Sequence, residues 1–254
     1  MNIISIIPAR MGSSRFPGKP MKEILGIPMI GHVFKRVKMC ETLKEVYVAT
    51  CDTEIFNYIE SLGGKAVMTS ESHERCADRC AEAMLKIEKD TGQKCDIIVI
   101  VQGDEPLTFP QMIDEAVKPM IEDSNVTITN LVADLSSVEA FENPNEVKVV
   151  MDKNNNALYF SREPIPSRQK SKLGSMKKQV CVIPFKRDFL LEYNEMEQTP
   201  LEKIESVDMM RIIENGGKVK MCNTNYITKA VDCKEDLDLV SEMMRDDELF
   251  KHYK

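Results

Sequence analysis

Three cations and several small residues share one short segment near the start of the chain. Residues 8–20 read PARMGSSRFPGKP and place Arg10, Arg15 and Lys19 among glycines and serines. Small residues let backbone N–H groups approach a polyanion closely, and the cations neutralise its charge. The segment matches neither the P-loop nor the GxGxxG pattern, which disfavours a Walker ATPase and a Rossmann dehydrogenase. It therefore predicts a phosphate-binding loop, with a solvated basic loop as the alternative.

A second candidate site follows the most apolar stretch of the chain. Residues 101–106 read VQGDEP, so a hydrophobic strand leads directly into Gln102, Asp104 and Glu105. A carboxylate at the tip of a buried parallel strand can hold Mg²⁺ against substrate phosphates. Two adjacent acids can also form a solvated turn, and Asp104 needs a partner carboxylate. The segment predicts a magnesium position whose second ligand lies elsewhere in the chain.

Alternating strands and helices are predicted to position both segments. Apolar, β-branched runs predict strands at 3–7, 45–50, 65–68 and 96–101, and helical spacing or glycine stops predict helices at 29–38, 53–62 and 74–90. This alternation is typical of an α/β fold with a doubly wound, mostly parallel sheet. Ligands of such sheets bind beyond the carboxyl ends of the strands, where both candidate segments begin.

After residue 125 the sequence no longer alternates between strand-like and helix-like stretches. Strand-like stretches at 126–132, 146–151, 157–161 and 179–184 predict a smaller antiparallel extension, and the basic segment 164–178 predicts an exposed loop. Helices are expected at 200–214 and 234–244. We interpret residues 1–254 as a single domain with a dimerisation or acceptor-side elaboration at about 126–200.

Composition narrows the class of ligand. The 254 residues carry 34 Lys plus Arg and 41 Asp plus Glu, a net charge of −7, so we expect no nucleic-acid or membrane partner. No apolar run approaches the ~20 residues that span a bilayer.

The cysteines indicate the compartment. Eight irregularly spaced cysteines predict reduced thiols in the cytoplasm. Cys76 and Cys80 lie one helical turn apart, but no second Cys or His pair completes a zinc site.

Seven segments together carry a family resemblance. In order they are IIPARMGSSRFPGKP from residue 6, VMTS from 67, VQGDEP from 101, NPNEVKVVMD from 143, ALYFSREPIP from 157, PLEKIE from 200 and AVDCKEDL from 230. Their order and spacing resemble the 3-deoxy-manno-octulosonate (KDO) cytidylyltransferases, also called CMP-KDO synthetases. The resemblance implies a Rossmann-like nucleotidyltransferase fold, Mg²⁺ as cofactor, and a homodimer. It also implies that CTP reacts with an acidic sugar to give a CMP-sugar and pyrophosphate.

The resemblance also assigns residues on the nucleotide side. Asp104 and Asp232 would hold Mg²⁺, and Arg10, Lys19 and Asp104 would be catalytic. In-line attack on the α-phosphorus needs mostly positioning and electrostatic stabilisation, which these residue types supply. The residues implied for nucleotide binding are Pro8, Ala9, Arg10, Gly12, Ser13, Arg15, Lys19, Arg79 and Gln102.

The chain departs from the family on the acceptor side. Arg75-Cys76-Ala77 stands where SGT is usual, and QVCVIPF at 179–185 stands where HLGIYGY is usual. The residues implied for acceptor binding are Arg75, Gln102, Arg162, Gln179, Phe185, Asp208 and Met209. Altered polar groups change which substrates a pocket satisfies. The departures predict either drift in an enzyme that still uses KDO or a different acceptor, such as an amino-KDO, a phosphonate or a phosphate ester.

Two further alternatives concern the reaction itself. A non-catalytic protein that binds a nucleotide or a sugar acid could keep the same fold, although it would not need two metal carboxylates. A nucleotidyltransferase that uses another base, such as uridine, is disfavoured by the resemblance alone.

Overall fold

A computed structural model describes residues 1–12, 16–135, 137–170 and 176–254. The strands are β1 (Ile3–Ala9), β2 (Glu23–Ile24), β3 (Ile27–Pro28), β4 (Glu45–Thr50), β5 (Lys65–Met68), β6 (Ile97–Val101), β7 (Thr129–Asp134), β8 (Lys148–Met151), β9 (Ala157–Ser161), β10 (Lys177–Val180), β11 (Val182–Lys186) and β12 (Lys220–Asn223). The helices are α1 (Met29–Lys38), α2 (Thr53–Ser61), α3 (Cys76–Thr91), α4 (Pro110–Glu122), α5 (Val138–Glu142), α6 (Arg187–Glu195), α7 (Pro200–Glu205), α8 (Met209–Glu214), α9 (Lys234–Arg245) and α10 (Glu248–Lys251). A 3₁₀ turn spans Lys19–Met21.

The central sheet has the order β11-β6-β1-β4-β5, and its four strands from β6 to β5 are parallel. Every residue of β1 is buried, because helices cover both faces of the sheet. Alternate side chains of β1 lie on opposite faces of the sheet. Ile4 and Ile6 pack in a core with α3, whereas Ile3 and Ile7 pack in a core with α1 and α4. The predicted doubly wound, mostly parallel α/β fold is confirmed.

A second sheet has the order β12-β7-β10-β8-β9. Its pairs are antiparallel except for β12 and β7. The predicted antiparallel extension is therefore present, and it also uses β12, which lies outside the range 126–200.

One predicted strand, 179–184, is in fact two. β10 pairs with β7 in the second sheet, and β11 pairs antiparallel with β6 in the central sheet. Cys181 lies between them, and its carbonyl accepts the N–H of Gln102. The chain thus changes sheets at the carboxyl end of β6, which brings the second sheet next to the VQGDEP segment.

Two other expectations about elements need correction. The helix expected at 200–214 is interrupted between α7 and α8, because Ser206 adopts a left-handed backbone with φ of 52°. The helices α4 and α6 were not predicted. Part of the exposed loop expected at 164–178 lies outside the described residues, and its last two residues begin β10.

The C-terminal helices pack on the N-terminal half of the chain. Val231, Val240 and Met244 form a small core with Ile24 and Met29. This packing carries the segment before α9 to the carboxyl ends of β1 and β6. Within the described ranges, no helix is long and apolar enough to cross a membrane.

Candidate active site

Two adjoining cavities open beyond the carboxyl ends of β1 and β6. The loop cavity is lined by residues of the PARMGSSRFPGKP segment and of the VQGDEP segment. The inter-sheet cavity lies between the central and second sheets. Cys76, Gln102 and Asp104 line both cavities, so a ligand in one cavity would contact a ligand in the other at these residues.

Gly103 allows β6 to end close to β1. A Cβ atom at this position would lie 2.9 Å from the carbonyl oxygen of Pro8. A larger residue would force the ends of the two strands apart. The glycine therefore keeps Asp104 beside the N-terminal loop.

Lys19 lies at the centre of the site. Its Nζ atom donates to Asp104 Oδ2 at 2.6 Å and to the carbonyl of Val231 at 2.8 Å. It also lies 3.7 Å from Asp232 Oδ1. The N–H of Val231 donates to the carbonyl of Asp104, which holds the C-terminal segment against the VQGDEP turn. Residues far apart in sequence thus place one ammonium between two carboxylates.

The same two carboxylates suit Mg²⁺. The side chains of Asp104 and Asp232 are 22% and 18% exposed, so both remain accessible to a ligand. Mg²⁺ is usually bound by one or two protein carboxylates together with substrate phosphates rather than by a full protein cage. Within 1–12, 16–135, 137–170 and 176–254, no group of three or more His, Cys, Asp or Glu side chains could hold a metal by itself. The donor set therefore fits a metal that binds together with a nucleotide.

The structure brings together most residues predicted for the nucleotide. Those that line the loop cavity are Pro8, Ala9, Arg10, Gly12, Lys19, Gln102 and Asp104. The loop is closed by the N–H of Gly18, which donates to the carbonyl of Met11. Ser13 and Arg15 lie outside the described residues.

Arg79 requires a correction. Its side chain is buried, and its guanidinium donates to Thr69 Oγ1 at 2.6 Å and to the carbonyls of Ser70 and His73. These bonds fix the loop that precedes α3. Arg79 therefore positions this loop, and it is not among the residues that line the loop cavity.

Most residues predicted for the acceptor line the inter-sheet cavity: Arg75, Gln102, Arg162, Gln179, Asp208 and Met209. Arg75 pairs with Asp208 at 2.9 Å. Burial raises the pKa of Asp208, although the charge of Arg75 opposes this shift. Gln179 donates from Nε2 to Asn130 Oδ1 at 2.6 Å, so its amide is held by the second sheet.

Phe185 is not in this cavity. It is 1% exposed and packs against Phe189 and Tyr193 in the core. Its pairing partner in β6 is Ile98, three residues before the carboxyl end of that strand, so it lies too deep in the sheet. Cys181 and Ile183, closer to that end, line the cavity instead.

Four charged residues of the inter-sheet cavity were not predicted: Glu105, Glu146, Lys178 and Glu74. The first two lie within the segments VQGDEP and NPNEVKVVMD that carry the family resemblance. Their presence in those segments was the available signal.

Comparisons with known proteins identify the family of this chain. A family model described as cytidylyltransferase matches residues 4–223. The chain belongs to the cytidylyltransferase family. The 3-deoxy-manno-octulosonate cytidylyltransferase of Geobacter metallireducens is 40% identical to this cytidylyltransferase. The aligned region covers 96% of this chain and 98% of the Geobacter enzyme. The enzyme of the same name from Fusobacterium nucleatum is 39% identical, and the aligned region covers 98% of this chain and 99% of that enzyme.

Solved structures extend the comparison. This cytidylyltransferase superposes with a TM-score of 0.88 on a CMP:2-keto-3-deoxy-manno-octonic acid synthetase complexed with CTP, at 34% identity over 96% of this chain and 99% of that one. A glucose-1-phosphate thymidylyltransferase from Bacillus anthracis superposes at 0.66 with 15% identity, over 97% and 96%. The second match shows a shared fold alone. The prediction of an enzyme, rather than a non-catalytic binding protein, is confirmed by the family.

Glu105 is an unusual acid of this cytidylyltransferase. It is 4% exposed, and its Oε2 atom has no hydrogen-bond partner among the described residues. Burial, reinforced by the charge of Asp104, raises the pKa of Glu105 from 4.5 to about 7. The inter-sheet cavity is therefore bordered by a carboxyl group that changes charge near neutral pH.

Proposed function

We propose that this cytidylyltransferase transfers CMP from CTP to a KDO-like 2-keto sugar acid and releases pyrophosphate. The observation that carries the proposal is Lys19, held between Asp104 and Asp232 where the two cavities meet. A phosphate in the loop cavity and an acceptor in the inter-sheet cavity would come together at this point. The names of the relatives and the CTP-bound neighbour support this choice of substrates.

The chain's own residues can perform most of the transfer. Arg10 and Lys19 line the loop cavity and would neutralise the triphosphate. As the acceptor oxygen attacks the α-phosphorus, negative charge moves to the departing pyrophosphate, and fixed cations stabilise that charge. Asp104 and Asp232 would hold Mg²⁺, which, when bound, shields the phosphates and lowers the pKa of a coordinated hydroxyl. Gln102, which lines both cavities, would orient the acceptor.

Charged groups of the inter-sheet cavity suit an acidic acceptor. Arg75 and Arg162 line it. The guanidinium of Arg162 already donates to the carbonyls of Pro144, Glu205 and Ser206. We therefore assign the acceptor carboxylate to Arg75, since a guanidinium can grip a carboxylate with two hydrogen bonds. The Arg75–Asp208 pair favours a second candidate, the same chemistry on an acceptor other than KDO. An amino-KDO could use the carboxylate, and a phosphonate or phosphate ester could use the guanidinium.

A screen of pyrophosphate release tests the proposal. Each of CTP, UTP, ATP and GTP is combined with KDO, amino-KDO, phosphonates and phosphate esters in the presence of Mg²⁺. We expect release only with CTP and an acidic sugar. Arg75→Ala should reduce kcat/KM for the preferred acceptor about tenfold or more while leaving the KM for CTP unchanged. No release with any pair would overturn the proposal.

We also place the activity in the cytoplasm. The eight cysteines, which are all free, suit a reducing compartment.

A further inference from the structure

We propose that a chain of four charged residues, Lys178–Glu146–Lys229–Asp236, positions the Asp232 carboxylate from the acceptor side of the site. We call these four residues the ionic relay. The inference rests on the proposed function, because it assigns the relay to the carboxylate that would hold Mg²⁺. None of the four is a catalytic residue; each acts through its neighbour.

The first half of the ionic relay borders the acceptor. Glu146 and Lys178 line the inter-sheet cavity. Lys178 Nζ lies 3.0 Å from Glu146 Oε2 and also donates to the carbonyl of Thr228 at 3.1 Å. The other carboxylate oxygen of Glu146 accepts from Lys229 Nζ at 3.1 Å. Glu146 is thus held between two lysines.

The second half reaches the segment that carries Asp232. Lys229 Nζ lies 3.0 Å from Asp236 Oδ1. The other oxygen, Asp236 Oδ2, accepts the backbone N–H groups of Asp232 at 3.0 Å and of Cys233 at 3.2 Å. Asp236 therefore fixes the backbone from which the Asp232 side chain leaves. Because Lys19 contacts Asp232 at 3.7 Å, that backbone sets the distance between the second carboxylate and Asp104.

The relay is shielded from solvent, and each of its charges faces an opposite charge. Its side chains are between 11% and 18% exposed. Burial pushes the pKa of Glu146 upward, but Lys178 and Lys229 outweigh it and leave the pKa below its ordinary value. Burial likewise opposes the charged form of Lys229, yet Glu146 and Asp236 leave its pKa raised. Removing one member of the relay leaves its neighbours as uncompensated buried charges. The positions of the other members of the relay should therefore change.

The relay also explains why these residues occur in two separate family-like segments. Glu146 belongs to NPNEVKVVMD and Asp236 to AVDCKEDL. Neither residue is among those predicted to bind the nucleotide or the acceptor. The structure joins them through Lys229, so continuous ionic contacts connect the wall of the acceptor cavity with the segment that carries Asp232.

Lys229→Met is the central test variant, because it keeps most of the side-chain volume and removes the charge. We expect the Mg²⁺ concentration for half-maximal activity to rise about tenfold or more and kcat to fall about 10–100-fold, the scale seen for groups that orient metal ligands. The KM for CTP at saturating Mg²⁺ should stay within about twofold. Isothermal calorimetry of CTP binding at graded Mg²⁺ should show the same shift without turnover.

Lys234→Met is the matched control. Lys234 lies in the same helix as Asp236 but pairs with Asp238 on the surface, with side chains 71% and 64% exposed, so its variant should match the wild type. Lys229→Arg should restore most of the Mg²⁺ dependence, since it restores the charge. If Lys229→Met does not fold, Asp236→Asn, which keeps an acceptor for the backbone, should show the same shift to a smaller degree.

Two results would count against the relay in different ways. In the first, a Lys229→Met or Asp236→Asn enzyme has a lower melting temperature but the wild-type Mg²⁺ dependence. That result would show that the relay contributes to stability only, and it would overturn this inference without touching the proposed function. A wild-type protein that binds no CTP at any Mg²⁺ concentration would overturn the proposed function and this inference with it.

Discussion

Lys19 is the residue on which the account of the active site depends. Its ammonium contacts both acidic residues assigned to the metal, one from the VQGDEP segment and one from the C-terminal segment. Two carboxylates this close repel each other unless a cation lies between them. Lys19 supplies that cation in the protein alone, and Mg²⁺ would share the task when a nucleotide is bound.

Asp104→Asn and Asp232→Asn should each lower kcat by about 100-fold or more, because each removes one negative charge from the metal ligands. Steady-state kinetics at several Mg²⁺ concentrations measure this effect. Circular dichroism should show an unchanged fold. Glu71→Gln, an exposed charge-to-amide change, serves as the control. Near-normal turnover by Asp104→Asn would contradict the metal assignment.

Lys19→Ala should lower kcat by more than it weakens CTP binding, since its charge acts where negative charge accumulates in the transition state. A loss of about 100-fold or more in kcat is expected. Comparing kcat from turnover with Kd for CTP from calorimetry separates the two effects. Lys22→Ala, an exposed lysine three residues away, should behave as the wild type. Equal losses in binding and turnover would assign Lys19 to binding only.

Glu105 should make stability depend on pH. Its pKa is raised from 4.5 to about 7 in the folded protein, so between these values the folded state holds a proton that the unfolded chain releases. The free energy of unfolding is therefore highest below pH 4.5, and the contribution of the proton, about 3 kcal/mol, is lost as pH rises through 7. Urea unfolding from pH 5 to pH 8 should show a flatter decline in Glu105→Gln than in the wild type. If the free energy of unfolding depended on pH in the same way in both proteins, that result would contradict the raised pKa of a buried Glu105.

At the scale of elements, the C-terminal segment holds the N-terminal half through the small core around Val240 and Met244 and through polar contacts of Tyr253. Tyr253 Oη accepts from Arg36 Nε at 2.7 Å and lies 2.9 Å from His32 Nδ1. Burial lowers the pKa of His32 to about 4, so the ring is neutral at pH 7. Its Nε2 faces the carbonyl of Ile24 at 2.8 Å and must carry the proton. Nδ1 is then the acceptor, and the tyrosine O–H donates to it.

Tyr253→Phe should cost about 2–3 kcal/mol of unfolding free energy, because it leaves the buried Arg36 Nε and His32 Nδ1 without partners. Urea denaturation at pH 7 measures this loss. Lys251→Ala, which removes an exposed ion pair with Glu248, should change the same quantity by less than about 0.5 kcal/mol. A tyrosine variant as stable as the lysine variant would show that the packing of the ring, and not its hydroxyl, holds the helices.

Local patterns in the sequence predict the elements that are buried on both faces. The strands β1, β4 and β6 are continuous apolar runs, and the structure places them in the middle of the central sheet. The break at Cys181 is not predictable in this way, because β10 and β11 read as one strand and only their partners differ. Ser206 interrupts the helix at 200–214 by a backbone conformation that its residue type does not require.

The candidate site shows the same division. Asp104 was predicted from its place after a buried strand, and Lys19 from its place in a glycine-bearing loop. Asp232 came only from the family resemblance, because nothing local marks it. Phe185 was assigned to the acceptor only because QVCVIPF aligns with the family's HLGIYGY, and such an alignment does not show how deep beneath the edge of the sheet a side chain lies.

For the whole molecule, the two sheets form one site because the chain crosses between them at Cys181. The loop cavity belongs to the central sheet, and the second sheet closes the inter-sheet cavity beside it. A nucleotide and an acceptor would therefore meet where the sheets join. Among the described residues, one chain supplies the lining of both cavities.

The homodimer remains a prediction. Its expected surface is the apolar part of the ALYFSREPIP segment, formed by Leu158, Tyr159, Phe160 and Ile165, and the structure leaves only part of that surface exposed. Phe160 is fully buried and the hydroxyl of Tyr159 donates to Glu205, whereas Leu158 is 56% exposed. Light scattering at micromolar concentration should give twice the mass of one chain. Leu158→Asp should shift the protein toward the monomer, and Leu85→Asp, an exposed leucine on α3, should not. A monomeric mass for the wild type would contradict the prediction.

The most direct test of the account is the identity of the product. Phosphorus NMR of the wild-type enzyme with CTP, Mg²⁺ and KDO should show equal amounts of pyrophosphate and a new CMP–sugar phosphodiester. The Lys19→Ala enzyme should form both at a rate reduced by about 100-fold or more. Unchanged CTP with every acidic sugar offered, or conversion of CTP to free CMP without a phosphodiester, would contradict the proposal that this site joins CMP to a sugar acid.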